Sequence, residues 1–205
     1  MTVATDSKTA SLPLSRRLKK ETHGIHDSLD SRISGLSPFL NRAHYARFLR
    51  VQLRFQHATA PLYDDAQLHG WFEGLPRRSR LELIEADCRD LGLAETFLAV
   101  DRSIGRSVRY EDPYTAVGWL YTNEGSNLGA AFLFKRAEQA LGLSATFGAR
   151  HLAGHPDGRG LHWKQFKAQL DALPFDDAQR DRAVAGARDA FAFVREAVEQ
   201  VLARS

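Results

Sequence analysis

Residues 112–141 read DPYTAVGWLYTNEGSNLGAAFLFKRAEQAL, and this stretch decides the fold. Asp112 can accept from the first free amides of a helix and Pro113 suits the first helical position, so a helix starts here and runs to about Leu141. Strand-like alternation is absent from it. Gly118, Thr122, Gly125 and Gly129 follow one another at spacings of four, three and four, which lines one helix face with small residues. Each helical glycine costs about 1 kcal/mol relative to alanine, so something must approach that backbone closely. Two readings fit: another helix packed through small residues, or a flat ligand pressed against the peptide groups. Gly125-Ser126 is also a pair at which helices kink. No Lys-Ser/Thr follows the glycines and no strand precedes Ser126, so neither a phosphate loop nor a nucleophile elbow is encoded.

The same periodicity extends outward. Leu14, Leu18, Ile25, Leu29 and Ile33 stripe an opening helix that Ser34-Gly35 and Pro38 end. Asn41 can cap a second, whose Tyr45, Phe48, Leu49, Gln52 and Phe55 share a face until Pro61 forces a break or kink. Leu81, Ile84, Cys88 and Leu91 mark a third. Trp163, Phe166, Leu170 and Leu173 stripe a short helix stopped by Pro174. Asp176 with Gln179 then forms a capping box before Val184, Ala187, Phe191, Val194, Val198 and Val201. The expectation is an all-α fold, with one rich loop over 142–160.

At 205 residues, 43% apolar and 26% charged, the chain suits one globular domain, taken as 14–205 behind a flexible N-terminal tail over 1–13. Neither a secretory signal nor a bilayer-length apolar run is present, which predicts a cytoplasmic protein with no membrane contact. Cys88 is the sole cysteine, excluding an internal disulfide and any cysteine metal cluster, and it falls in an apolar stripe that predicts burial. The net charge of +3 is dispersed, which argues against nucleic acid and suits a carboxylate-bearing ligand or an acidic protein.

His26 sits at the edge of the opening stripe, with Lys19 seven residues before it, about 10 Å along the axis, and Asp30 one turn after it. Asp30 could accept from the imidazole Nδ1–H and turn Nε2 toward a metal. An ordinary boundary histidine explains the same spacing. So does direct metal binding by His23, His26, Asp27 and Asp30, which would make a His-Asp phosphohydrolase. His151, His155 and His162 could bind zinc, although histidines in a glycine-rich loop are expected to be solvated.

Several strings together carry a resemblance. They are Leu18-Lys19 through His26-Asp27-Ser28-Leu29-Asp30, Gly118-Trp119-Leu120-Tyr121, Glu124 through Lys135, Gly148 through Leu152, His155 through Gly160, His162-Trp163 and Gly186 through Phe191. This set resembles bacterial haem oxygenases of the iron-acquisition type over about 18–193. The resemblance implies haem b as both substrate and cofactor, held between the first helix and a kinked glycine-rich distal helix. It implies His26 as the axial iron ligand, supported by Asp30. Gly125 and Gly129 would let the distal backbone approach the ring, and Ser126 and Asn127 would add polarity near O2. Arg80 would belong to a distal water network. It also implies a monomer that draws electrons from an external ferredoxin or flavoprotein reductase and yields biliverdin, iron and CO for iron acquisition or bilin supply. Relatives that cleave at the α position carry a lysine and a tyrosine where Lys19 and Tyr121 stand. Ser34 occupies the place where relatives of altered regiochemistry pair a lysine with the one at Lys135, so the α isomer is expected. A haem carrier without turnover would use the same His26.

Overall fold

A computed structural model describes residues 12–155 and 158–203. Most of the expected tail, residues 1–11, lies outside these; Pro13 is described, and its carbonyl accepts from the amides of Arg16 and Arg17 at 3.0 Å each. The elements are helices α1 (Leu14–Gly35), α2 (Arg42–Tyr63), α3 (Ala66–Trp71), α4 (Leu81–Asp90), α5 (Glu95–Arg106), α6 (Pro113–Leu141), α7 (Arg159–Ala172) and α8 (Asp177–Ala197). The described residues form no strand, only isolated bridges at Ser144.

The caps read from sequence are in place. Asn41 accepts from the His44 amide, Asp112 from those of Tyr114 and Thr115, and Asp176 and Gln179 close a reciprocal box. Pro61 does not break α2, which continues to Tyr63 because proline falls in the final turn, near where the helix ends anyway. Helical bonding in α6 also runs through Gly125-Ser126, where the Ser126 hydroxyl donates back to the Asn123 carbonyl at 2.7 Å, a contact that bends helices slightly.

Two helices are additions to the sequence reading. The six-residue α3 is too short for periodicity to register. In α5 the buried positions are Leu98, Asp101 and Gly105, so two of the three inward residues are not apolar. Asp101 is fully buried and accepts from Arg50 Nε at 2.6 Å and Arg54 Nε at 2.7 Å. Gly105 lies against the backbone of α2 near Arg54 and His57.

Helix α8 is the axis of the assembly. A Cβ at Gly118 would overlap the Ala183 carbonyl and the Ala187 amide, and one at Gly186 would overlap the Thr115 carbonyl, so α6 and α8 touch backbone to backbone. Helix α1 lies along α8 through Glu21 to Arg188 at 2.8 Å and Ser28 to Arg195 at 2.6 Å, and a bidentate Arg32–Glu199 pair at 2.7 Å continues the seam onto the π-helical turn Val198–Leu202 that follows α8. Helix α7 closes one end: the Asp171 carboxylate takes the Ser15 amide at 2.7 Å and hydroxyl at 2.8 Å, while Trp163 meets Tyr121 of α6 at a tilt, with ring centroids 5.5 Å apart.

Candidate functional site

The two helices fastened to α8 and α7 carry the candidate residues. On α1, the His26 side chain is 53% exposed and its Nδ1 lies 3.5 Å from both Asp27 and Asp30 carboxylates. Nδ1 thus faces two carboxylates, and Nε2 lies on the opposite edge of the ring. Phe191 of α8 meets the ring edge-on, with centroids 5.8 Å apart, which limits how the imidazole can turn. His23 leans instead on Asp27 at 3.4 Å. Among the described residues no group of three or more His, Cys, Asp or Glu side chains is arranged to hold a metal ion, so neither the His-Asp cluster nor the loop histidines assemble a site of that kind.

On α6 the glycines divide. Gly118 is sealed against α8, whereas a Cβ at Gly125 would only reach ordinary contact with Trp163 at 3.5 Å, and one at Gly129 would meet nothing within 4 Å. Helix packing thus explains the first glycine and leaves the other two unexplained. Leu128 and Phe132 beside them are 46% and 65% exposed, so that face of α6 is apolar and uncovered. Ser126 is exposed, and the Asn127 carbonyl accepts from Arg159 Nη1 at 2.8 Å.

Lys19 is exposed on α1, one turn beyond Ser15, and Tyr121 is half-buried on α6. Burial, with the Asp171 charge second, pushes the Tyr121 phenol up to about 12. Since Asp171 also grips Ser15, the tyrosine and the lysine lie toward the same α7-closed end. Ser34 and Lys135 are both exposed.

Behind the glycines lies a polar cluster the sequence did not disclose. Glu124 is buried and accepts from Tyr63 Oη at 2.8 Å and Arg78 Nη1 at 2.7 Å. Burial raises the Glu124 pKa, and the Arg78 guanidinium opposes that rise. Asn123 accepts from Gln56 Nε2 at 2.9 Å and donates to Thr59 at 3.0 Å and Tyr63 at 2.9 Å. The available signal was two adjacent polar residues, Asn123-Glu124, on the inward face that Val117 and Leu120 define.

Arg80 is engaged by a turn: its Nη2 donates to the carbonyls of Arg150 and Ala153, while Nε is buried without a protein acceptor. Of the three histidines, His151 is buried and not solvated, whereas His155 and His162 are half-exposed. His151 is only 5% exposed because the buried Asp87 carboxylate accepts from its amide at 2.9 Å and lies 2.8 Å from its Nδ1, and His155 stacks on His162 at 4.2 Å. Cys88 is buried, and burial pushes its thiol up to about 12.

Comparison with known proteins gives one answer. The family model described as heme oxygenase matches residues 93–200. Heme oxygenase PigA of Pseudomonas aeruginosa is 42% identical over 179 residues, covering 86% of this chain and 87% of that protein. The NO- and CO-bound heme oxygenase of Neisseria meningitidis superposes with a TM-score of 0.86 at 37% identity, covering 95% of this chain and 94% of that one. Heme oxygenase from Leptospira interrogans shares the fold, with a TM-score of 0.73 at 17% identity over 93% of this chain and 100% of that one. With a helical frame that leaves the Gly125–Gly129 backbone bare and half-exposes His26, this chain belongs to the haem oxygenase family and is a haem-degrading oxygenase.

Proposed function

We propose that haem is seated between α1 and α6, with His26 Nε2 on its iron and the Gly125–Gly129 backbone over the opposite face. The observation that carries this reading is the division of the glycines, since only Gly118 is spent on helix packing. A haem that is to bind O2 is served by a neutral imidazole on one side and a thin, apolar wall on the other. The donor set suits it: His26 turns Nδ1 toward Asp27 and Asp30, and the facing helix offers peptide backbone with Leu128 and Phe132 alongside. Haem supplies the iron at which O2 is activated and the ring that is opened to biliverdin.

The chain's own residues orient and enclose. The carboxylates of Asp27 and Asp30 beside Nδ1 favour the tautomer with its proton there, and Phe191 limits the turning of the ring. At the α7 end, Lys19 offers a cation and Tyr121 a phenol that stays protonated at neutral pH, and both suit a propionate carboxylate. Anchoring the propionates there fixes the rotation of the ring, and the expected product is the α isomer. A single cysteine cannot form a dithiol redox pair within the chain, and we take the electrons to come from an external ferredoxin or flavoprotein reductase. No helix among the described residues is long and apolar enough to cross a membrane. We take the protein as a cytoplasmic monomer that serves iron acquisition or bilin supply.

The test adds haemin to the purified protein, follows the Soret band, then supplies reductant under air with a ferric chelator and separates the products by chromatography. Expected are a stoichiometric complex, α-biliverdin, and loss of the complex in His26→Ala with partial return on adding imidazole. A stable complex without turnover would make the chain a carrier. Mainly β or δ product would overturn the Lys19–Tyr121 anchor, as would an unchanged isomer in Lys19→Ala combined with Tyr121→Phe.

A further inference from the structure

Arg159 opens α7, 32 residues along the chain from Asn127, yet its Nη1 reaches the Asn127 carbonyl at 2.8 Å. Its Nη2 donates to the Leu152 carbonyl. Leu152 belongs to the single turn Arg150–Leu152, whose first two amides are held by the Asp87 carboxylate at 3.0 and 2.9 Å. One guanidinium therefore ties an anchored turn to the middle of the distal helix. Its path is cleared by Gly154, where a Cβ would stand 3.3 Å from the Arg159 Nε.

Asn127 is midway between Gly125 and Gly129, in the part of α6 with the least intrinsic helical stiffness. A carbonyl inside a helix ordinarily serves the amide four residues on. A second donor fixed to another element draws that carbonyl outward and bends the axis toward it. The bond is charge-assisted, so it is strong enough to select one curvature over neighbouring ones.

We propose that Arg159 is a positioning residue for haem cleavage: by holding the Asn127 carbonyl it sets the curvature of α6 between Gly125 and Gly129, and so how closely the bare backbone approaches the ring. The first half concerns the chain alone, and the second rests on the seat proposed above. Lysine could make only one of the two bonds, so Arg159→Lys restores part of the effect, whereas Arg159→Gln removes the charge and the fork.

The experiment measures hydrogen exchange across residues 126–131 in haem-free protein, then the pH-dependent Soret shift and the isomer distribution of the haem complex. Arg159→Gln is expected to exchange about tenfold faster in that segment, as suits the loss of a hydrogen bond to a charged group. Arg159→Lys should fall between it and the parent. In the haem complexes the Soret transition moves and the product spreads over more than one isomer. Unchanged exchange in a folded Arg159→Gln protein would overturn the proposal. Should that variant not fold, Arg159→Lys replaces the fork by a point charge, and exchange there at the rate of the parent overturns it equally. Failure of the parent protein to open haem would sink the functional reading and leave the exchange result standing.

Discussion

Two carboxylates, the half-buried Glu85 and the buried Glu124, feel opposite forces. Glu85 accepts two hydrogen bonds from Arg102 at 2.7 Å and lies 2.7 Å from His57, and the Arg102 bond chiefly holds it at about 2 against an ordinary 4.5. A depressed folded-state pKa contributes stability that is whole above the ordinary value and is lost as pH falls from about 4.5 toward about 2. Glu85→Gln should therefore flatten the acid side of stability measured as a urea midpoint between pH 5 and 3. Glu124 is the reverse case, raised chiefly by burial, so the folded state holds its proton more tightly than the unfolded chain does. Its favourable contribution is present at low pH and is lost as pH climbs from the ordinary carboxylate range through the raised value. Arg78→Met leaves that carboxylate buried without its cation, a change that costs about 3–5 kcal/mol. The loss should be largest near neutrality and shrink on acidification, where Glu124 can take up a proton; a loss independent of pH would contradict the pairing.

Helix α6 offers the sharpest contrast between elements. Gly118→Ala drives a methyl group into the α8 backbone and should destabilise the protein by about 1–3 kcal/mol or more, read by denaturant unfolding. Gly129→Ala meets nothing and should stabilise the haem-free protein by about 1 kcal/mol while weakening haem binding and turnover. If Gly129→Ala left haem cleavage untouched, the distal wall would lie elsewhere. The frame of α1, α6 and α8 was legible because the apolar stripes of α1 and α8 and the caps of α6 and α8 are local properties of the chain. Helix α5 was not, because its inward face carries Asp101 and Gly105, whose place in the core depends on Arg50, Arg54 and the backbone of α2. The site divides in the same way. His26 with Asp30 is a one-turn relation that spacing displays, whereas Glu124 finds Arg78 across 46 residues and Tyr63 across 61, pairings that only tertiary folding creates. His151 was misread for the same reason, since the residue that buries it, Asp87, lies 64 residues away.

At the scale of the whole molecule, Cys88 reports on integrity. With no exposed surface and a thiol pushed up to about 12, it should resist alkylation in the native protein and react only as the chain unfolds globally. Labelling at the rate of a free thiol under native conditions would show that the core around α4 opens locally. The joint between α6 and α8 reaches further. The imidazole-bearing helix and the glycine-bearing helix are each keyed to α8, one by the side-chain pairs of Glu21 and Ser28 and the other by the Gly118–Gly186 backbone contact. The gap between the two jaws is thus gauged by a third part behind them, as in a calliper whose opening is read on its beam. Lengthening the loop after Leu141 would leave that gauge alone, but one residue inserted into α8 between Gly186 and Arg188 would turn one jaw about 100° against the other.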